Sequence, residues 1–393
     1  MKKELFKRFI LLFAVCMTLI MGGCVEAKDV NATVDSQLPP EPTARPTDTV
    51  SFIAAGDNLI HGSIYLQAKN RSANGTYDFD FVYQNTEDYF KSFDVRFINQ
   101  ETIVNSAFPP STYPQFSTPV EMGDKVVSMG FNVVGTSNNH SYDMGATGVY
   151  SSLEYWNSQP VVNMGFYTGD DSKDIKYLTK NNITMAFLAY TYGTNGLNIS
   201  DPNCPKVINI EDFDTIERQV NIAKANADVV IVSCHWGYED TNEINDLQRE
   251  VADRLNIMGV DVIIGTHPHV IQTVEWHTND VNDNKTLICY SLGNFISAQS
   301  KANNMIGGLF QFKINKEYDL DGNYKMTITE PYFVPTITHY DANYKNIRNY
   351  LLKDYTPDLA ASHGVVAYDN QFSYNYVENK VYSVIPEEFL LYK

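Results

Sequence analysis

Cysteine and positive charge are both scarce in this chain of 393 residues. It has 5 cysteines, and 29 lysines and arginines stand against 47 aspartates and glutamates, for a formal charge of -18. Beyond residue 24 only Cys204, Cys234 and Cys289 remain, and two of these sit inside strand-like apolar runs. They read as small buried apolar residues rather than a disulfide framework. The shortage of Lys and Arg makes nucleic acid an unlikely partner, because phosphate-backbone binding needs them clustered. It also disfavours loose adsorption of an anionic polymer, unless a bound metal offsets the charge locally. No segment recurs at a period of about 20–50 residues, so a solenoid is excluded. With 44% apolar and 19% charged residues the chain is neither disordered nor fibrous.

What is present begins with an address. Lys2, Lys3, Lys7 and Arg8 precede an apolar stretch at residues 9–21 that ends in Gly22-Gly23-Cys24. This is the pattern of a secretory signal with small residues at its cleavage point, and it is short for a spanning helix. Cysteine directly after two glycines resembles the bacterial lipobox, so Cys24 is expected to be lipidated and to form the mature amino terminus. A soluble secreted protein and an uncleaved anchor are the other readings, and all three put the remainder outside the cytoplasm. Residues 25–48, with Pro39-Pro40-Glu41-Pro42 and Arg45-Pro46-Thr47, have no periodic apolar face and read as an extended polar tether.

From residue 49 short apolar runs alternate with amphipathic stretches. Strands are expected at residues 50–55, 95–98, 132–135, 183–190, 229–233, 260–264 and 286–290. Helices are expected at 83–91, 121–129, 147–157, 212–225 and 245–258. That alternation marks an α/β layered fold with a largely buried sheet. Residues 309–314 and 325–329 flank Asp319-Leu320-Asp321-Gly322 and read as a hairpin. The main domain is expected to span residues 49–338. Residues 339–393 are rich in Tyr (Tyr340, Tyr344, Tyr350, Tyr355) and read as a packed extension or a partner surface.

Polar residues collect at the ends of the expected strands. In order they are Asp57, then Asn99 and Glu101, then Asn139 and His140, then His235, then His267-Pro268-His269. Strand carboxyl ends are where α/β sites assemble. Taken singly, Asp57 after Gly56 reads as a turn or cap, His235 as a core histidine and Asn138 as a turn residue. His267 and His269 leave one strand end together, which favours ligation. Five such coincidences point to a metal site. Carboxylate, amide oxygen and imidazole suit Mn, Zn or Fe better than a thiolate-loving ion. One carboxylate shared between two imidazole-rich half-sites describes two divalent ions about 3.5–4 Å apart.

The stretches GDNLIH, NQE, SNNHSYDMG, CHWGYE, GTHPHVIQ and YSLGNF, in that order over roughly residues 50–300, resemble the capsule-synthesis CapA family. That family is associated with poly-γ-glutamate capsules, and its fold is related to calcineurin-like metallophosphoesterases. The resemblance implies a four-layered α/β/β/α sandwich. It also implies that Asp57 and His269 bind one metal, that Asn139, His235 and His267 bind the other, and that Glu101 bridges. His140 resembles the position that protonates a leaving oxygen in related phosphoesterases. Those enzymes usually carry Asp-x-His at the first strand end, whereas Asn58 and Leu59 follow Asp57 here and the first histidine is His61. Metal one is therefore expected to be short of a nitrogen, borrowing Asn99 or His61 or binding more weakly.

Around these positions, Asp143 reads either as an orienting partner for His140 or as a helix cap. Glu239 and Gln272 are candidates for contacts to ligands or substrate, and Asn294 reads as a turn residue or a cleft residue. Two functions are open. One is a metal-dependent, phosphoesterase-like hydrolase acting on a phosphoester or on an anionic polymer such as poly-γ-glutamate. The other is a non-catalytic polymer-binding or assembly subunit beside membrane synthase and export partners. A solute-capturing lipoprotein fits the tether but leaves the ordered motifs unexplained.

Overall fold

The apolar runs form two sheets, and the amphipathic stretches between them form the covering helices. The computed structural model describes residues 45–391, so the signal, Cys24 and most of the tether lie outside the described residues. In chain order the strands are β1 (Asp48–Asn58), β2 (Val95–Asn99), β3 (Val133–Gly135), β4 (Val162–Met164), β5 (Lys176–Lys180), β6 (Ile183–Thr191) and β7 (Val229–His235). They continue with β8 (Val262–Thr266), β9 (Ile271–Thr278), β10 (Lys285–Leu292), β11 (Asn294–Ile296), β12 (Ile306–Tyr318), β13 (Tyr324–Asp341) and β14 (Lys345–Leu351).

The first sheet has the order β14-β13-β12-β1-β2-β3-β4, with β11 beside β1, and the second has the order β5-β6-β7-β8-β10-β9. From β1 to β4 the strands are parallel, as are β6, β7 and β8. The hairpin β12/β13 pairs antiparallel onto β1. Parallel strands need both faces covered, and the second sheet shows how alternation achieves this. Met185, Phe187, Ile231 and Ile264 share one apolar cluster with Phe52, Phe97 and Val133 of the first sheet. Leu188, Val230, Val232 and Ile263 point the other way, onto Val220 and Leu255 of the helices Phe213–Asn226 and Asp246–Met258. The first sheet is covered in turn by Met122, Val126 and Trp156, from the helices Val120–Ser128 and Gly145–Asn157. The result is the expected α/β/β/α sandwich with a hairpin extension.

Three local expectations are corrected. The helix expected at residues 83–91 is two short helices, Asp80–Tyr83 and Glu87–Phe90, broken around Asn85 and Thr86. Strands β4, β5, β9, β11 and β14 were not anticipated. The expected boundary after residue 338 falls inside β13, where Thr338 pairs with Asn349 of β14. The Tyr-rich segment is thus continuous with the first sheet, and Tyr340 and Tyr355 are buried in its core. Among the described residues no helix is long and apolar enough to cross a membrane.

Candidate metal centre

The parallel strands of both sheets deliver their ends to one buried polar cluster. Asp57, on β1, is fully buried. Its Oδ1 accepts from Asn99 Nδ2 at 2.7 Å, and its Oδ2 accepts the backbone N–H of His267 at 3.3 Å. The same Oδ2 lies 3.2 Å from His269 Nδ1. Strand β11 splints this end of β1, and Gly56 allows the approach. A Cβ on Gly56 would stand 2.1 Å from the Gly293 carbonyl oxygen, to which the Asp57 N–H donates at 3.0 Å.

Glu101, just past β2, is fully buried, and neither carboxylate oxygen has a hydrogen-bond partner. Its Oε1 lies 3.6 Å from His269 Nε2 and 4.0 Å from His235 Nε2. Burial pushes this carboxyl well above the usual carboxylate range against the pull of His269. Burial disfavours the His269 cation too, yet Glu101 and Asp57 outweigh it and raise the His269 pKa to about 10. A place that draws a proton onto a buried imidazole favours a cation. A buried carboxylate with two unpartnered oxygens is what an ion would satisfy. Asp57, Glu101 and His269 each offer a ligand atom within 4.8 Å of the others.

On the second sheet, His235 ends β7 and His267 follows β8. His235 Nε2 lies 3.0 Å from Asn139 Oδ1, and its Nδ1 lies 2.9 Å from Thr266 Oγ1. His267, at φ 99°, leaves Nδ1 without a partner. The rings of His235 and His267 are 4.8 Å apart. Burial lowers the pKa of His235 well below the ordinary value and that of His267 to about 3. Both rings are therefore neutral at pH 7, the form that ligates. The donor set of one amide oxygen, three imidazoles and two buried carboxylates fits divalent transition ions.

His140 and Asp143 follow β3, with His140 Nδ1 2.7 Å from Asp143 Oδ2. The same oxygen accepts the Phe116 N–H at 2.7 Å, and the Phe116 ring meets His140 edge-on at 4.8 Å. Asp143 does not cap the following helix, whose N-cap is Met144. An open cleft beside this pair is lined by Tyr113, Gln115, Asn139, Asn195, Leu197 and Glu239, with no lysine or arginine among its lining residues.

Residues 51–299 match the family described as Bacterial capsule synthesis protein PGA_cap. This chain belongs to that family. It is 27% identical over 319 residues to the PGA biosynthesis protein CapA of Bacillus subtilis (strain 168), covering 80% of this chain and 77% of that one. It is 27% identical over 283 residues to the capsule biosynthesis protein CapA of Bacillus anthracis, covering 69% of this chain and 65% of that one. Among solved structures it is similar to the Haemophilus influenzae NAD nucleotidase NadN, at a TM-score of 0.44 and 12% identity, covering 75% of this chain and 52% of that one. A putative 5'-nucleotidase from Staphylococcus aureus aligns at a TM-score of 0.40 and 13% identity, covering 72% and 54%.

In this PGA_cap chain the remaining candidates fall in several places. Asn294 accepts from His269 at Nδ1, 3.1 Å away, and donates to the Gln299 side chain and the Asn304 carbonyl, so it orients that imidazole. Asn99 holds Asp57. His61 accepts the Ala298 N–H at Nδ1, and burial lowers its pKa to about 4. Gln272 is engaged away from the cluster, accepting from Gln248 and donating to the carbonyls of Thr241 and Glu243, because the alternation of β9 turns it toward that loop. Asn138 donates to the Gln100 carbonyl and supports the turn. The sequence reading missed Tyr192, at the end of β6. Its ring lies 4.4 Å from that of His267 and 6.3 Å from that of His235. The same search of strand ends would have found it had a phenol been counted beside the usual ligands.

Proposed function

We propose that this chain is a metal-dependent hydrolase serving capsule or poly-γ-glutamate synthesis or export, with two divalent ions (Mn, Zn or Fe) held by the strand-end cluster. The observation that carries the reading is the Glu101 carboxylate, buried and unpartnered between His235 and His269. Asp57 and His269 would hold one ion, and Asn139, His235 and His267 the other, with Glu101 between them. When bound, such ions polarise a phosphoryl or acyl oxygen. Asp143 fixes the His140 tautomer by taking the Nδ1 proton in a hydrogen bond. In its doubly protonated form the ring would then carry on Nε2 the proton that a leaving oxygen takes in the adjoining cleft. Because no lysine or arginine is among the described residues lining that cleft, an anionic substrate would depend on the ions for most of its charge compensation.

Capsule work is supported by the family and by the printed names of the two Bacillus relatives. Residues 1–48 support an extracytoplasmic chain tethered to the membrane through Cys24, so Cys24→Ala should release it or leave an unprocessed precursor. Normal membrane partition of that variant would reject the anchor.

A second reading, a polymer-binding or assembly subunit, is favoured by the first strand end. Leu59 stands where the phosphoesterase histidine would be and is buried in the core, while Asn58 is consumed by Tyr83 and Gln100. Assaying metal-replete protein on aryl phosphates and γ-linked glutamate oligomers separates the two. The hydrolase reading predicts turnover that chelation abolishes. No turnover, together with capsule output that still requires Glu101 and His267, supports the subunit reading instead.

A further inference from the structure

The Asp57 side of the cluster lacks the nitrogen that Leu59 cannot supply. Asn58 and His61 are engaged by protein partners, so the first loop offers no replacement. A different loop reaches the gap. After β7 the chain turns at Gly237, φ 92°, and Asp240, φ 66°. Between these two residues stands Glu239, one of whose oxygens lies within 4.8 Å of a ring nitrogen on both His267 and His269. This loop is tied to the histidine turn itself. The Asp240 N–H donates to the Pro268 carbonyl at 2.9 Å, between the two imidazoles. The Asp240 carboxylate is held by Lys301 and Asn304, and Gln272 binds the carbonyls of Thr241 and Glu243 from beneath. The backbone flanking Glu239 is therefore anchored to the turn that carries the candidate ligands.

We propose that Glu239 is itself a metal ligand, supplying a carboxylate oxygen to the ion bound beside His269 in place of the missing first-strand histidine. This rests on the metal-centre reading above. It gives that ion Asp57, Glu101 and Glu239 with a single imidazole, an oxygen-rich set that suits Mn²⁺ better than the imidazole-rich position does. The other position keeps Asn139, His235 and His267. The two ions then differ in preference, one hard and oxygen-bound, the other imidazole-bound.

Metal-stripped full-length chain, titrated with Mn²⁺ and with Zn²⁺ by calorimetry and by Mn²⁺ electron paramagnetic resonance, tests this without any activity measurement. Glu239→Gln should weaken the tighter Mn²⁺ event by at least about tenfold, the lower end of what losing even an indirect partner costs, and leave the second site unchanged. Glu243→Gln, in the same loop with an exposed side chain, removes equal charge and should bind as wild type. Wild-type Mn²⁺ affinity in Glu239→Gln overturns the proposal and leaves the metal centre standing. An equal loss in Glu243→Gln overturns it too, by reducing the effect to bulk charge. A wild-type chain that binds neither ion overturns this proposal and the metal-centre reading together.

Discussion

His140 and Asp143 form a buried pair, Nδ1 to Oδ2 at 2.7 Å, and the Phe116 N–H donates to the same carboxylate oxygen. Three residues apart, they hold the imidazole at the cleft that both residues line. On the hydrolase reading, His140→Ala lowers turnover by about 10²- to 10⁴-fold, the usual range for general acid catalysis, with metal content unchanged. Asp143→Asn should lose part of that factor and shift the acidic or basic limb of the pH–rate profile. Steady-state kinetics beside elemental analysis checks both, and a parallel loss of metal would contradict the assignment.

Tyr192 backs the second half-site. Its ring is 4.4 Å from that of His267, and stacks at 16° and 6.3 Å against that of His235. Tyr192→Phe keeps the ring against both imidazoles, so metal affinity should fall at most several-fold. Tyr192→Leu should fall further, toward the ten- to hundredfold, roughly, that partners behind ligands contribute. Competition against a chelator measures it, and unchanged affinity in both variants contradicts the role.

Gly56 is a steric requirement, because the atom a side chain would meet is the Gly293 carbonyl oxygen, part of the backbone. Gly56→Ala should destabilise the fold by about 1–3 kcal/mol or more, the range for overpacking a tight site. A denaturant midpoint equal to wild type would show that β1 and β11 can part without loss.

A pH effect is expected far from the cluster. His363 donates from Nε2 to the Thr338 carbonyl and accepts the Val365 N–H at Nδ1, and burial lowers its pKa to about 3. The unfolded chain takes up this proton near 6.5. The contribution is therefore complete above pH about 6.5 and is lost as pH falls toward 3, by at most about 1.4 kcal/mol per pH unit. Unfolding curves between pH 5 and 7.5 should be flatter in His363→Gln than in wild type. Identical slopes would contradict the assignment.

Much of the fold was legible because parallel strands buried on both faces read as unbroken apolar runs, as 229–233 and 260–264 did. The strands that escaped are short or half exposed, such as β4 and β5, or lie in stretches read otherwise, such as β9 beyond the His-Pro-His turn. The cluster's residues were legible from strand ends, but their pairing was not. Asn139 and His235 meet across 96 positions and two sheets, a relation no local pattern carries. Gln272, five residues past His267, looked like a neighbour of the site, yet strand alternation turns it to Gln248. The reverse holds for Asn294, where a plain turn signal concealed a partner of His269.

The central claim is that Glu101 sits unpartnered because a metal centre forms around it. Elemental analysis of full-length protein purified without chelator, compared with Glu101→Gln of equal thermal stability, tests this most directly. Two transition-metal ions per chain in the wild type, and at least one fewer in the variant, is the predicted result. A wild-type chain without metal, even after soaking in Mn²⁺ or Zn²⁺, would contradict it.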